Sequence, residues 1–271
     1  MTTTARETIP GVAGEVLAQY GGRVSRHDLY DEVGVPVYHD LAAVDTSEIR
    51  EVLRVVRTVP GPVLELAAGS GRLTMPLLAL GREVTALELK EAMLDLLRER
   101  LAGAPAGARE RCLPVQGDMS AFDLGRTFAV VVLGTTSVSL LDEEGRAGLY
   151  AAVRAHLQPG GRFLLSTVDL THTPADDADL DFEAVGASGR RYRMIEHWPA
   201  GASTRKVTIL PPQAEAAHAS RVLALTTSIR VLPADRLERE LADAGLTVVQ
   251  RHTLPATGPR HRDVLLEAEA V

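Results

Sequence analysis

Three carboxylates stand in or at the ends of apolar runs in the first half of the chain: Glu65 in Val63-Leu64-Glu65-Leu66, Glu88 closing the run 83–88, and Asp118 in Val115-Gln116-Gly117-Asp118-Met119. The first run continues as Ala67-Ala68-Gly69-Ser70-Gly71, and glycines one residue apart let a backbone approach a ligand with no Cβ in the way. Glu88 lies about twenty residues beyond the start of that motif, where a carboxylate can accept both ribose hydroxyls of an adenosine. Asp118, with the apolar Met119 beside it, suits an adenine amino group. The bland reading of Gly69 and Gly71 is an ordinary strand-to-helix turn, and the two further carboxylates at strand ends weigh against it.

A dinucleotide and S-adenosylmethionine both present an adenosine. A dinucleotide needs its pyrophosphate on a helix N-terminus, usually with a third glycine for close helix packing, and here that position is Thr74. Glu65 would repel a pyrophosphate, whereas it could contact the ammonium end of a methionine moiety, directly or through water. The residues favour the sulfonium cofactor.

These groups need a scaffold, and 271 residues at 45% hydrophobic content provide one α/β core plus an appended element. Aromatic residues make up only 4%, so Leu, Val and Ala must fill the core and any aromatic side chain near a pocket stands out. The net charge is −7 with Lys and Arg dispersed among acids, which argues against a nucleic-acid partner and accords with a cationic or amine substrate. Cys112, the single cysteine, excludes an intrachain disulfide and reads as a small core residue. With no run of about twenty apolar residues and no charged segment leading into an apolar one at the start, no membrane is expected and the expected location is the cytoplasm.

The strand at 63–66 alternates too little to be half exposed and is expected in the centre of a parallel sheet. Helix, strand and helix then repeat at 72–80, 83–88 and 90–102, followed by a loop at 103–108, strands at 111–116 and 128–133, a helix at 142–157 and a strand at 162–168. This rhythm specifies a doubly wound sheet. A helix capped near Asp45 or Thr46 runs to about Thr58, before Pro60-Gly61-Pro62. Beyond Asp169 the rhythm changes: 171–189 reads as an acidic loop, 191–198, 204–210 and 221–231 as antiparallel strands, and 234–244 as a helix before a closing hairpin. Four segments are expected: an N-terminal helical lid at 1–44, the cofactor core at 45–170, an antiparallel β insertion at 171–232, and a helix with closing hairpin at 233–271.

Taken together, Glu65-Leu66-Ala67-Ala68-Gly69-Ser70-Gly71, Glu88, Gly117-Asp118-Met119, Leu157-Gln158-Pro159-Gly160-Gly161 and Asp243-Ala244-Gly245-Leu246 resemble the class I S-adenosylmethionine-dependent methyltransferases, with their Rossmann-like α/β sheet. The resemblance implies that Glu65, Ala67, Gly69 and Gly71 line the methionine end, that Glu88 holds the ribose, that Asp118 and Met119 take the adenine, and that Leu89 also contacts the cofactor. Leu133, Gly134 and Thr135 should lie along the sulfonium. Within the class, Leu29-Tyr30-Asp31 and Tyr38-His39-Asp40 are similar to the lid of bacterial sugar-amine N,N-dimethyltransferases, which implies that Tyr30 and Tyr38 enclose the cofactor and approach the amine. Where those enzymes place a histidine after the fourth strand, this chain offers Leu140. The whole chain is also similar to methyltransferases of daptide-type ribosomal peptide pathways, which dimethylate an amine at a peptide C-terminus.

Methyl transfer from a sulfonium is an in-line displacement, so the protein mainly aligns the partners and excludes water. An alkylamine must be neutral to attack, which calls for an acceptor or a pocket that lowers its pKa. Candidates on the acceptor side are Tyr38, His39, Asp169, His172, Arg193, His197 and Trp198, while His156 and His252 read as surface or capping residues. Tyr38 and His39 could equally pack the N-terminal segment, and His197 reads first as structural. The rivals are an O-methyltransferase of the same fold and a non-catalytic cofactor-binding partner protein. No metal-ligand spacing such as H-x-x-x-H occurs, so no metal is expected. A homodimer is an open expectation.

Overall fold

The computed structural model describes residues 8–170, 176–201, 203–255 and 261–271. In chain order the elements are α1 (Gly11–Tyr20), β1 (Val24–Asp28), α2 (Val35–Ala42), α3 (Ile49–Thr58), β2 (Val63–Leu66), α4 (Thr74–Ala79), β3 (Val84–Glu88), α5 (Glu91–Ala102), α6 (Ala106–Arg109) and β4 (Cys112–Gln116). They continue as β5 (Phe128–Leu133), α7 (Glu143–His156), β6 (Leu157–Leu170), β7 (Ala178–Val185), β8 (Arg191–Trp198), β9 (Thr204–Leu210), α8 (Gln213–His218), β10 (Val222–Arg230), α9 (Ala234–Asp243), β11 (Leu246–Thr253) and β12 (His261–Ala270). The chain divides into two compact units, one of Met1–Val44 with Thr173–Arg230 and the other of Asp45–His172 with Val231–Val271.

The second unit carries a seven-stranded sheet in the order β11-β12-β6-β5-β2-β3-β4. Strands β6, β5, β2, β3 and β4 run parallel, and β12 and β11 add antiparallel pairs at one edge. Because successive strand side chains point to opposite faces, Leu64 and Leu66 join Val131, Leu133, Leu149, Val153 and Leu241 on one side. Val63 joins Val52, Val56, Leu77, Leu94, Leu97 and Val130 on the other. Each buried Leu or Val contributes about 1.5–3 kcal/mol, so a strand buried on both faces is held in register from either side. The strand order reverses between β2 and β5, and ligands of open α/β sheets bind at the carboxyl ends beside such a reversal.

Local chemistry sets the helix limits. The Asp142 carboxylate accepts the Gly145 N–H at 2.9 Å and so caps α7, whose first turn holds Glu143 and Glu144 on the favourable end of the helix dipole. At α9, Asp169 accepts the Ala234 N–H at 2.7 Å after Pro233. Arg146, almost wholly buried, grips the Glu240 carboxylate with a two-pronged fork at 2.7 and 2.8 Å and so joins α7 to α9.

The first unit carries a five-stranded sheet in the order β1-β10-β9-β8-β7. Ala13, Val16 and Leu17 of α1 pack with Ile195, Leu210 and Val222, while Leu29, Val37, Tyr38 and Leu41 join Tyr192, Val207 and Leu225 in a separate cluster. Asp40 latches α2 to the turn after β7: it accepts the Ser188 N–H and hydroxyl at 2.7 Å each and the Tyr192 hydroxyl at 2.8 Å.

Several expectations are corrected. The helix expected from Asp45 or Thr46 starts at Ile49, because Asp45 closes its own turn by accepting the Ser47 N–H at 3.0 Å and hydroxyl at 2.7 Å. The segment 1–44 is not purely helical: its β1 pairs parallel with β10, Val24 opposite Val222. The acidic stretch read as a loop contains β7, in which Ala178, Leu180, Phe182 and Ala184 alternate with Asp179, Asp181 and Glu183 as a strand's residues do, and whose Asp181 and Glu183 meet Arg193 and Arg191 on β8. The loop at 103–108 includes the start of α6. His156 and His252 are buried rather than on the surface, His156 tying the Leu124 N–H at 2.9 Å and His252 lying between Arg54 and Glu267 at 2.8 and 2.9 Å.

Candidate active site

The loop that leaves β2 turns through Ala67 at φ 50°, Gly69 at 56° and Gly71 at 88°. For alanine a left-handed φ costs on the order of 1 kcal/mol or more, so the surroundings must enforce it. Part of that enforcement comes from β3. Glu88, only 8% exposed, accepts the Gly69 N–H on Oε2 and the Lys90 N–H on Oε1, both at 2.9 Å. The Ala68 N–H adds a bond to the Leu87 carbonyl at 3.0 Å. A Cβ at Gly69 would meet nothing within 4 Å, whereas a Cβ at Gly71 would come within 2.5 Å of Leu97 Cδ1. Gly69 therefore faces open space, and Gly71 is a glycine because α5 packs against it.

Glu65 is buried among the residues that underlie this loop. The Thr74 hydroxyl donates to its Oε2 at 2.5 Å, and burial pushes its carboxyl from 4.5 up to about 8. The threonine at the third-glycine position thus has a definite task, holding a buried acid. Asp118, beyond β4, accepts the Ser120 N–H and hydroxyl on Oδ1 at 2.8 and 2.7 Å. Met119 beside it is buried, and Leu89 after β3 is half exposed.

On the other side of the reversal in strand order, β5 ends at the buried Leu133, and Gly134 leads into Thr135 and Thr136 at φ 57° and 55°. Both oxygens of Glu48 accept the Thr135 N–H, at 2.9 and 3.0 Å, and Glu48 also accepts the Ser166 hydroxyl and pairs with Arg72. Arg72 donates besides to the Asp45 carbonyl at 3.0 Å and the Thr135 hydroxyl at 2.6 Å. Sequence reasoning missed Glu48 and Arg72. Arg72 directly follows Gly71, but nothing local to Glu48 signals that a charge beside a helix start is buried.

The acceptor-side candidates fall in different surroundings. Tyr30 and Tyr38 form an edge-to-face pair with ring centroids 5.0 Å apart, and burial raises the Tyr30 hydroxyl further above its ordinary pKa, so it is a neutral donor and acceptor and no base. His39 is half-buried beside Tyr38 on α2. The Arg193 fork lies on Asp181 at 2.9 and 2.6 Å, and buried His197 lies 3.1 Å from Asp179, which also accepts the Val12 N–H at the start of α1. Trp198 is buried, donates to Glu196 at 3.0 Å and lies under the Arg205 guanidinium at 4.7 Å. In the other unit, Asp169 holds the start of α9. His172 lies outside the described residues. Among the described residues, no group of three or more His, Cys, Asp or Glu side chains could hold a metal ion, and no helix is long and apolar enough to cross a membrane.

The residues at the carboxyl ends of β2, β3, β4 and β5 fit an adenosine-bearing cation. Gly69 leaves room for close backbone approach, Glu88 and Asp118 offer acceptors for hydroxyl and amino groups, and a threonine takes the third-glycine position; Glu65, expected to repel a pyrophosphate, is instead buried and neutral below about pH 8, so its charge does not make that distinction. Fold and site together define a class I methyltransferase. Residues 63–161 match the family described as "Methyltransferase domain". The chain is 30% identical over 175 residues to the dTDP-3-amino-3,4,6-trideoxy-alpha-D-glucopyranose N,N-dimethyltransferase of Streptomyces venezuelae, which covers 64% of this chain and 70% of that one. It is similar to the crystal structure of the glycopeptide N-methyltransferase MtfA complexed with S-adenosyl-L-homocysteine, with a TM-score of 0.70 and 37% identity over 98% of this chain and 100% of that one. For MtfA complexed with S-adenosyl-L-methionine the values are 0.70 and 36% over the same shares. The chain belongs to the S-adenosylmethionine-dependent methyltransferases and is an enzyme that uses that cofactor.

Proposed function

We propose that the enzyme methylates the nitrogen of a primary amine and does so twice, giving an N,N-dimethylated product on an aminosugar or on a peptide or glycopeptide that presents an amine, in natural-product biosynthesis. The observation that carries this reading is the likeness to a glycopeptide N-methyltransferase over 98% of the chain. The likeness to an amino-sugar N,N-dimethyltransferase supports the second transfer. A monomethylated nitrogen stays basic and nucleophilic, so a pocket that admits one transfer can repeat it.

When bound, S-adenosylmethionine supplies an electrophilic methyl group. In this proposal Glu88 holds the ribose, Asp118 and Met119 the adenine, and Glu65, Ala67, Gly69, Gly71, Leu133, Gly134 and Thr135 the methionine end and sulfonium, with Leu89 a further cofactor contact. Tyr30 and Tyr38 orient the amine through their hydroxyls, with His39 the nearby group able to take its proton. Asp169, Arg193, His197 and Trp198 are the proposed substrate contacts, although Arg193, His197 and Trp198 already bond within their own sheet and Asp169 holds α9.

Mass spectrometry of reactions with an amine-ended peptide, an aminosugar and a catechol, each with chelator present, tests the proposal. Two methyl increments on an amine are expected. Methylation of the catechol alone would overturn it in favour of an O-methyltransferase, and cofactor binding without turnover of any acceptor in a broad amine and phenol panel would favour a non-catalytic partner protein.

A further inference from the structure

Among the described residues, the non-glycine residues with positive φ are Ala67, Thr135 and Thr136. All three lie in the loops that leave the carboxyl ends of β2 and β5, one on each side of the reversal in strand order. A β-branched side chain persists at such an angle only where its surroundings over-determine it, and such positions gather where ligands are held. Here two threonines do so in succession.

Glu48 supplies the restraint. Its carboxylate, 2% exposed, receives the Thr135 N–H on both oxygens, at 2.9 and 3.0 Å, together with the Ser166 hydroxyl of β6 and the Arg72 guanidinium. Arg72 also reaches the Thr135 hydroxyl at 2.6 Å and the Asp45 carbonyl at 3.0 Å. A Cβ at Gly134 would lie 2.6 Å from both Glu48 Oε1 and Leu73 Cδ1, so the strand end abuts the carboxylate directly. Arg72 belongs to the loop after β2 and Thr135 to the loop after β5. The Glu48–Arg72 pair, buried at Glu48 and partly buried at Arg72, therefore joins the loops that leave β2 and β5.

Sheet order identifies the part of the ligand that meets this wall. Strands β4, β3, β2 and β5 are successive neighbours, with Asp118 following β4, Glu88 closing β3, the glycine turn following β2 and residues 134–136 following β5. An adenosine anchored on Asp118 and Glu88 directs its far end, which carries the sulfonium and the methionine, toward β5.

We infer that Glu48 and Arg72 are positioning residues that hold Thr135 and Thr136 in their left-handed form against the reacting end of the cofactor, and so govern how that end binds while leaving the adenosine end untouched. The inference rests on the placement of the cofactor in this crevice.

Calorimetric titration of the full chain with S-adenosylmethionine, S-adenosylhomocysteine and adenosine, with hydrogen exchange over 133–140, tests it in Glu48→Gln and Arg72→Lys. In Glu48→Gln the two methionine-bearing ligands are expected to weaken at least about tenfold and adenosine less than about twofold. The Thr135 amide is expected to exchange faster. Arg72→Lys keeps the charge but loses the planar fork, and is expected to show the same ligand order with a smaller loss. Equal losses for all three ligands, or no loss for any, would overturn the inference and leave a purely structural ion pair. If Glu48→Gln does not fold, Arg72→Lys decides by the same comparison. Failure of the unaltered chain to bind S-adenosylmethionine would instead remove the cofactor placement itself.

Discussion

Glu88 Oε2 accepts the Gly69 N–H at 2.9 Å across nineteen residues of sequence, so the carboxylate that closes β3 also shapes the glycine turn that leaves β2. Its other oxygen takes the Lys90 N–H, and each carboxylate oxygen retains a further lone pair for a ligand hydroxyl. One residue thus sets both the turn and the acceptor beside it.

Removing that carboxylate should therefore be costly. Glu88→Ala is expected to weaken S-adenosylmethionine binding by about 1.5–3 kcal/mol, the range for hydrogen bonds to a charged group. Asp118→Ala is expected to cost less, since one of its oxygens is already held by Ser120 and adenine offers a single amino group. Isothermal calorimetry on both variants measures the difference, and an unchanged dissociation constant in Glu88→Ala would show that ribose recognition lies elsewhere.

The two glycines of the turn should respond differently. From the sequence alone, Gly71→Val is expected to block the cofactor sterically while leaving a folded protein; the structure directs a Cβ at Gly71 into Leu97 instead, and one at Gly69 into open space. Gly71→Val is thus expected to lower the melting temperature through overpacking and a strained φ, a loss of about 1–3 kcal/mol. Gly69→Ala should bind cofactor more weakly with a smaller thermal shift. Calorimetry paired with thermal unfolding distinguishes the two, and the reverse ranking would contradict the geometry.

Glu65 is expected to make the stability of the enzyme sensitive to pH. Because burial raises its carboxyl from 4.5 to about 8, folding favours the protonated form: the contribution is fully present below pH 4.5, declines as pH rises, and is lost above about pH 8. The slope from this group approaches about 1.4 kcal/mol per pH unit in the middle of that window. Glu65→Gln keeps an acceptor for the Thr74 hydroxyl and carries no charge, so urea unfolding of this variant should lack that part of the decline between pH 5 and pH 8. Parallel pH profiles for the two proteins would mean that Glu65 is ionised in the fold.

If Tyr30 and Tyr38 form a lid, as proposed, they should become ordered on cofactor binding. Hydrogen exchange over 25–40 is expected to slow when S-adenosylhomocysteine is added, and Tyr38→Phe to lower turnover more than cofactor affinity. Exchange that is equal in the free and bound states would take these tyrosines out of the reaction.

How much was legible in the sequence follows from the range of the forces involved. The apolar run at 63–66, buried on both faces, marks a central strand because its pattern is set by two neighbouring layers at once. Strands 191–198 and 204–210 have the bounds expected from alternation. Strand β7 does alternate apolar and acidic residues in its own sequence, and the acid content of the surrounding stretch outweighed that signal; its pairing with the arginines of β8 is seen only in the fold. Strand β1 is short and its partner lies nearly two hundred residues away in sequence.

The site divides in the same way. By itself the sequence pointed to the class of cofactor through Gly69, Glu88 and Asp118, whose residue types and positions at strand ends are local properties. Only the tertiary structure decided that Thr74 holds Glu65, that Gly71 yields to Leu97, and that Glu48 and Arg72 lock Thr135. These are contacts between elements, and burial changes the meaning of a charge: the same glutamate that would be solvated on an isolated helix start becomes, once desolvated, a group that must find partners.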